Sequence, residues 1–305
     1  MTSSSLDPVL LKKKLLYLAS SGSFTNFTPQ QLHDAYEELQ DFLIVHHDKL
    51  LDSIELFNLY ELQFYLSVLT LHDIEAKNAL DRITDQFSII KTDKELRSQR
   101  IAILQSIYAE LQGDLKHASK LLSEDPDELK LSRRLTTLSR HDAGDSSKYI
   151  NNLIYYLNLQ PSDVQTWNEL GEQYKILGHY DKAIYCLKEI VLQDPQAYPI
   201  FYKMGLLYYY LFLQLETNLK TEKKDKLFEL MKVLINARDN YLYSLEINDT
   251  YKKNWVGLKA LAELGFNDKL KKISESSKEI KEYLSSNDKL KVIIDKKIKE
   301  LNIEI

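Results

Sequence analysis

From Val164 to Ala197 apolar residues return every three or four positions, the spacing of one helix face, and they do so twice with a polar break between. Trp167, Leu170 and Tyr174 stand at i, i+3 and i+7 of a first helix, and Ala183 and Leu187 stand on a second. Gly178 supports the turn between them. Pro195 lacks an N–H and disfavours helix at Asp194, so the second helix stops there. Gly171 and Ala183 are small enough to let two antiparallel helices approach closely. The rhythm continues downstream, where Phe201, Met204, Gly205 and Tyr208 repeat the first helix and Ala237 and Tyr241 the second. An insertion separates those two: Gly205 to Ala237 is 32 residues where Gly171 to Ala183 is 12. Trp255 and Leu258 begin a further first helix. Upstream, Ile150, Leu153, Tyr156 and Pro161 precede Ile184, Leu187, Ile190 and Pro195 by 34 residues. Gly113, Ala118 and Pro126 mark a shortened hairpin, and Ala76, Leu80 and Ile83 a more degenerate one.

A single hairpin cannot bury its own apolar face, so repeated hairpins imply a stack. Trp167, Leu170, Gly171, Tyr174, Ala183 and Pro195 fall on the tetratricopeptide pattern W-x2-L-G-x2-Y, A-x3-F, P, with Leu187 in the aromatic's place. The expected fold is all-α, a right-handed superhelix (α-solenoid) of tetratricopeptide-type hairpins, about six of them between Phe57 and roughly Leu284. Residues 1–56 read as an N-terminal helical cap, 57–284 as the repeat array and 285–305 as a C-terminal capping helix. In the first cap, Thr28 as N-cap, Pro29 at the first position and Leu32, Tyr36, Leu39 and Leu43 predict a helix over Pro29–Val45. In the second, Leu290, Ile294, Ile298 and Leu301 share one face among lysines. The core of the insertion, 214–226, is rich in Thr, Lys, Glu and Asp and reads as an exposed loop or a solvated helical extension.

Composition supports long helices. Eight Gly and six Pro in 305 residues leave few breakers, and 44% hydrophobic content can bury a large core. The net charge is −5 and the basic residues are spread along the chain, without the basic face a nucleic-acid binder needs. Lys12, Lys13 and Lys14 interrupt the apolar residues of Met1–Ser23, which therefore do not read as a signal peptide. The longest apolar run, Met204–Leu213, is ten residues, too short to span a bilayer, so the protein is expected to be soluble by itself and to meet membranes only through partners.

Residues that could carry chemistry do not assemble into a site. No Gly-rich phosphate loop exists, so nucleotide binding is not expected. His33, His46, His47, His72, His117, His141 and His179 form no H-E-x-x-H or H-x3-H pair, and the local cluster His46, His47 and Asp48 does not converge on a helix. Cys186, the only cysteine, excludes an intrachain disulfide and reads as a small buried hydrophobe beside Leu187. No cofactor, no metal and no enzymatic activity are expected. The segment Tyr208, Tyr209, Tyr210 and Phe212 admits core packing, a partner-binding aromatic surface or contact with a membrane interface.

A stack of this kind presents a concave face lined by first helices. Gln165, Asn168, Glu172 and Lys175 should face inward from one repeat, and Pro199, Tyr202, Leu206 and Tyr209 from the next. Asn168, Glu172, Lys175, Tyr202, Leu206 and Tyr209 are the candidate partner-binding residues, expected to be exposed and not accounted for by packing within the stack. The basic cluster of a carboxylate clamp is missing, and Glu172 would repel an acidic tail, so a soluble co-chaperone or regulatory adaptor is the alternative reading.

Trp167-Asn168-Glu169-Leu170 through Tyr185-Cys186-Leu187-Lys188-Glu189 resembles subunit 2 of the endoplasmic-reticulum membrane protein complex, in which a Trp-x-Glu-Leu element is followed by an aromatic-Cys-Leu-Glu-Glu run. Ala237-Arg238, the Tyr241–Leu245 segment, Asn248 and Trp255-Val256-Gly257-Leu258 extend the resemblance, which covers roughly Phe57 to Leu264. The Lys-rich insertion, the shortened hairpin near Gly113 and the tail after Phe266 depart from the family pattern. The resemblance implies a non-catalytic scaffold on the cytosolic face of the endoplasmic reticulum membrane. Its partners would be cytosolic segments of membrane-embedded subunits of a complex that inserts tail-anchored and multi-spanning proteins.

Overall fold

Side chains at the turns set where the helices begin. In the computed structural model, which describes residues 7–46, 50–87, 98–123, 127–140, 146–219, 224–273 and 277–303, the first helix starts where Asp7 Oδ1 accepts the Val9 N–H at 3.1 Å ahead of Pro8. Pro126, His47, Asp48, His141 and the 220–223 part of the insertion lie outside the described residues. The chain divides into two units, Met1–Ala143 and Gly144–Ile305. Among the described residues every regular element is a helix.

The first unit holds α1 (Pro8–Ser21), a 3₁₀ turn (Ser23–Asn26), α2 (Pro29–His46), α3 (Ser53–Leu69), α4 (Asp73–Phe87), α5 (Gln99–Leu111), α6 (Leu115–Leu122) and α7 (Leu129–Ser139). Thr28 and Gln31 exchange hydrogen bonds at the start of α2, with the Thr28 N–H donating to Gln31 Oε1 at 2.9 Å. Asp52 and Glu55 form the same reciprocal box at the start of α3. Leu15, Leu39, Leu59, Leu62, Phe64 and Ile83 are almost wholly buried in one core, so α1 and α2 pack into the stack of hairpins that they precede. Gly113, at φ +81°, turns α5 into α6.

The second unit holds α8 (Ser146–Leu159), α9 (Val164–Ile176), α10 (Tyr180–Gln193), α11 (Tyr198–Thr217), α12 (Lys224–Ile247), α13 (Lys252–Ala262), α14 (Phe266–Ile273) and α15 (Lys278–Glu300). The hairpins α9/α10 and α11/α12 match the α-solenoid expectation, whereas α13 packs chiefly on α15 and α12, and the α9/α10 turn has Gly178 at φ +75°. Both indoles lock a preceding loop: Trp167 Nε1 donates to the Pro161 carbonyl at 2.8 Å, and Trp255 Nε1 to the Asp249 carbonyl at 3.0 Å. The insertion lengthens both arms of its hairpin, to 20 residues in α11 and 24 in α12 against 13 and 14 in α9 and α10. Much of the added length is core, since Phe212, Leu227, Leu230, Met231 and Leu234 are buried, while Gln214, Asn218 and Lys224 to Lys226 stay exposed.

Candidate partner-binding face

Asn168, Glu172 and Lys175 lie on α9, and Tyr202, Leu206 and Tyr209 on α11. All six are half-buried, which corrects the expectation of exposure: a tie between neighbouring first helices engages Asn168 and Glu172, Lys175 pairs with Glu172, and other aromatic rings pack on Tyr202 and Tyr209. Lys203, which the sequence pattern did not single out, reaches from α11 to α9. Its Nζ donates to Asn168 Oδ1 at 2.9 Å and lies 3.3 Å from Glu172 Oε1. Lys175 pairs with the other carboxylate oxygen of Glu172. Burial pushes the Glu172 carboxyl up, yet the hydrogen bonds and charges of Lys175 and Lys203 outweigh it, and the group sits below the ordinary glutamate range.

The aromatic half of the face packs within the stack. Tyr202 lies 5.5 Å from Tyr251, edge to face, and 5.9 Å from Tyr241. Tyr209 meets Tyr210 at 6.1 Å, and Tyr208 and Tyr209 flank the core that holds Phe212, so the aromatic run is a half-buried wall with its last ring fully inside. Tyr241 is the hub: burial first, and then the phenolic groups of Tyr202, Tyr210 and Tyr209, push its hydroxyl far above the ordinary tyrosine range.

An analogous tie occurs in the first unit. Arg100 on α5 reaches α3, where it pairs with Glu61, donates to Asn58 Oδ1 at 2.8 Å and covers the Phe57 ring with its guanidinium carbon 4.3 Å from the centroid. Arg134 on α7 pairs with Glu110 on α5. In each unit a cation on one first helix therefore clasps an Asn and a Glu, one turn apart, on another. The arrangement has hydrogen-bonding groups and aromatic edges on one side of the first helices. Cys186 on α10 is 1% exposed, and burial pushes its thiol up to about 12. Its burial matches the reading of a small core hydrophobe.

Residues 95–211 match the family model of the EMC2 TPR-like repeat domain. The chain is 24% identical over 293 residues to the ER membrane protein complex subunit 2 of Saccharomyces cerevisiae, an alignment that covers 93% of this chain and 96% of the yeast protein. It is 27% identical over 208 residues to the TPR repeat protein oca3 of Schizosaccharomyces pombe, covering 67% of this chain and 65% of that one. Among solved structures, the C-terminal part of a TPR repeat-containing protein from Cytophaga hutchinsonii superposes with a TM-score of 0.50 at 12% identity, over 94% of this chain and 100% of that one, a likeness of fold alone.

Proposed function

We propose that this chain, which belongs to the family of ER membrane protein complex subunit 2, is a non-catalytic scaffold subunit of that complex. The near end-to-end alignment with the yeast subunit is the observation that carries the reading. A stack of hairpins whose first helices are spaced by fixed ties suits a body that holds other chains in place. Among the described residues no helix is long and apolar enough to cross a membrane, which is in keeping with attachment through membrane-embedded partners on the cytosolic face. In this reading the chain supports insertion of tail-anchored and multi-spanning proteins by organising the subunits that do it. Affinity purification of the tagged chain from detergent-solubilised membranes tests this. Co-migration with a large assembly is expected; recovery alone or with soluble chaperones refutes it.

The face of Asn168, Glu172, Lys175, Tyr202, Leu206 and Tyr209 is proposed to meet a segment of another subunit. Because Tyr202 packs against Tyr241 and Tyr251, truncating it to alanine would disturb the stack as well as the surface. The pair Tyr202→Phe with Tyr209→Phe keeps both rings and removes two hydroxyls. Lower recovery of membrane partners at an unchanged melting temperature is expected, and unchanged recovery would move the partner site elsewhere.

A further inference from the structure

In the first unit α2 and α4 both pack on α3 and scarcely touch one another. Near their starts they are bridged by His72, whose ring stacks on Tyr36 of α2 at 4.4 Å. Toward their ends no such ring bridge recurs among the described residues, and a cleft of about 500 Å³ opens between them, lined among others by Gln40, Leu43, Tyr60, Gln63, Arg82 and Gln86. That volume lies in the range that seats a small ligand or a few residues of a peptide.

The lining is polar and unfinished. Gln63 is 8% exposed, and its Oε1 is buried without a hydrogen-bond partner. A buried amide oxygen in that state destabilises the free chain and is an acceptor awaiting a donor. Arg82 lies over the Tyr60 ring, its guanidinium carbon 5.9 Å from the centroid, and no carboxylate pairs with it among the described residues. None of the lining residues is acidic and Arg82 is cationic, so the lining itself carries a positive charge in a chain of net charge −5. A guanidinium with free donors beside an amide carbonyl with a free lone pair matches a carboxylate followed by a backbone N–H. Leu43, Ile44 and Leu56 along the same cleft suit apolar neighbours of that carboxylate.

We propose that this cleft receives an acidic side chain from an extended segment of a partner protein, with Arg82 pairing its carboxylate and the Gln63 amide turning its buried Oε1 into the cleft to accept a backbone N–H of the same segment. The inference rests on the reading of the chain as a scaffold, and it places a second contact in the unit that does not contain the α9/α11 face. The source of the carboxylate is a side chain, because Arg82 is the one cation among the described lining residues, and capture of a chain end calls for a cluster of basic side chains or a nest of backbone N–H groups.

The probe is an end-blocked peptide with one central glutamate flanked by leucines, titrated into the full-length chain and followed by NMR. Backbone signals of α2, α3 and α4 are expected to move. The glutamine analogue and the Arg82→Gln variant should each weaken binding by about tenfold or more. Gln63→Leu should raise the melting temperature of the free chain while weakening the peptide, a split that loss of folding cannot imitate. Equal binding of the glutamate and glutamine peptides, shifts confined to other helices, or no binding at millimolar peptide overturns the proposal. So does equal binding by a glutamine peptide with a free C-terminus, which would assign the site to chain ends. Should the peptide fail while the tagged chain still co-migrates with the membrane assembly, the cleft reading falls and the scaffold reading stands.

Discussion

Tyr241 is held between two glycines, and this makes the packing of the second unit open to a sharp test. Its ring is 2% exposed, on α12, between α11 and α13. A Cβ built on Gly205 would stand 2.8 Å from two ring carbons and 3.1 Å from the Ala237 carbonyl, and a Cβ on Gly257 would stand 2.7 Å from Cζ. The ring cannot swing away from one glycine without meeting the other. Overpacking a site of this kind costs about 1–3 kcal/mol, while Gly→Ala inside a helix returns about 1 kcal/mol, so Gly257→Ala should destabilise by up to about 2 kcal/mol net. At Gly171 a Cβ would meet Cys186 Cβ at 3.4 Å and the Ala183 carbonyl at 3.7 Å, ordinary contacts, so Gly171→Ala should be neutral or stabilise by up to about 1 kcal/mol. Urea unfolding of both variants measures the difference, and in a unit of this size 1 kcal/mol moves the melting temperature by about 2–4 °C. In a Tyr241→Leu background the cost of Gly257→Ala should shrink by about 1 kcal/mol, since the clashing ring is gone. Equal stability of Gly171→Ala and Gly257→Ala, or additivity with Tyr241→Leu, would refute the sandwich.

Ala183 is wholly buried at the α9/α10 crossing, so Ala183→Phe should lower stability by about 1–3 kcal/mol or more in chemical denaturation. Cys186 should resist a thiol reagent at neutral pH in the native chain and label fully once urea unfolds the second unit, because burial both shields the thiol and keeps it protonated. Lys203→Met removes one of the two cations that depress the Glu172 carboxyl. The folded value lies below the unfolded one, so the stability that Lys203 adds is present above about pH 4.3, the ordinary glutamate value, and is lost as the pH falls through the folded value. The side chains are more than a third exposed, so the difference between wild type and variant at pH 7 should be under about 1 kcal/mol and should vanish in acid.

The α9/α10 hairpin was legible because every residue that builds it is close in sequence and each is of a type with one physical use there. Helix α7 was not, because its buried side carries Ser132, Thr136 and Ser139 alongside Leu131 and Leu138, and polar residues at core positions hide the apolar period. Helix α14, eight residues long, gives too few turns for a period to emerge. The burial of the candidate face was hidden for a different reason. Spacing along α11 groups Tyr202, Leu206 and Tyr209, but what half-covers Tyr202 comes from Tyr241 and Tyr251, and the group that meets Glu172 from the neighbouring helix is Lys203, 31 residues away. Faces are written in local periodicity; what crosses them depends on which distant residue the stack brings alongside.

Those crossings also bear on how a scaffold can hold a partner. Half-exposed ion pairs such as Lys203 with Glu172 or Arg100 with Glu61 contribute little to net stability, about 0–1 kcal/mol each. Their geometry does more than their energy. A cation that bonds an Asn and a Glu at once fixes both the spacing and the sliding register of two first helices, which apolar packing alone leaves softer. A partner that docks across such helices then meets groups already at their bound spacing, and loses less of its contact energy to ordering them. An isolated chain with these ties cut should therefore remain folded while its assembly with partners weakens, a separation that a merely stabilising role for the same residues does not produce.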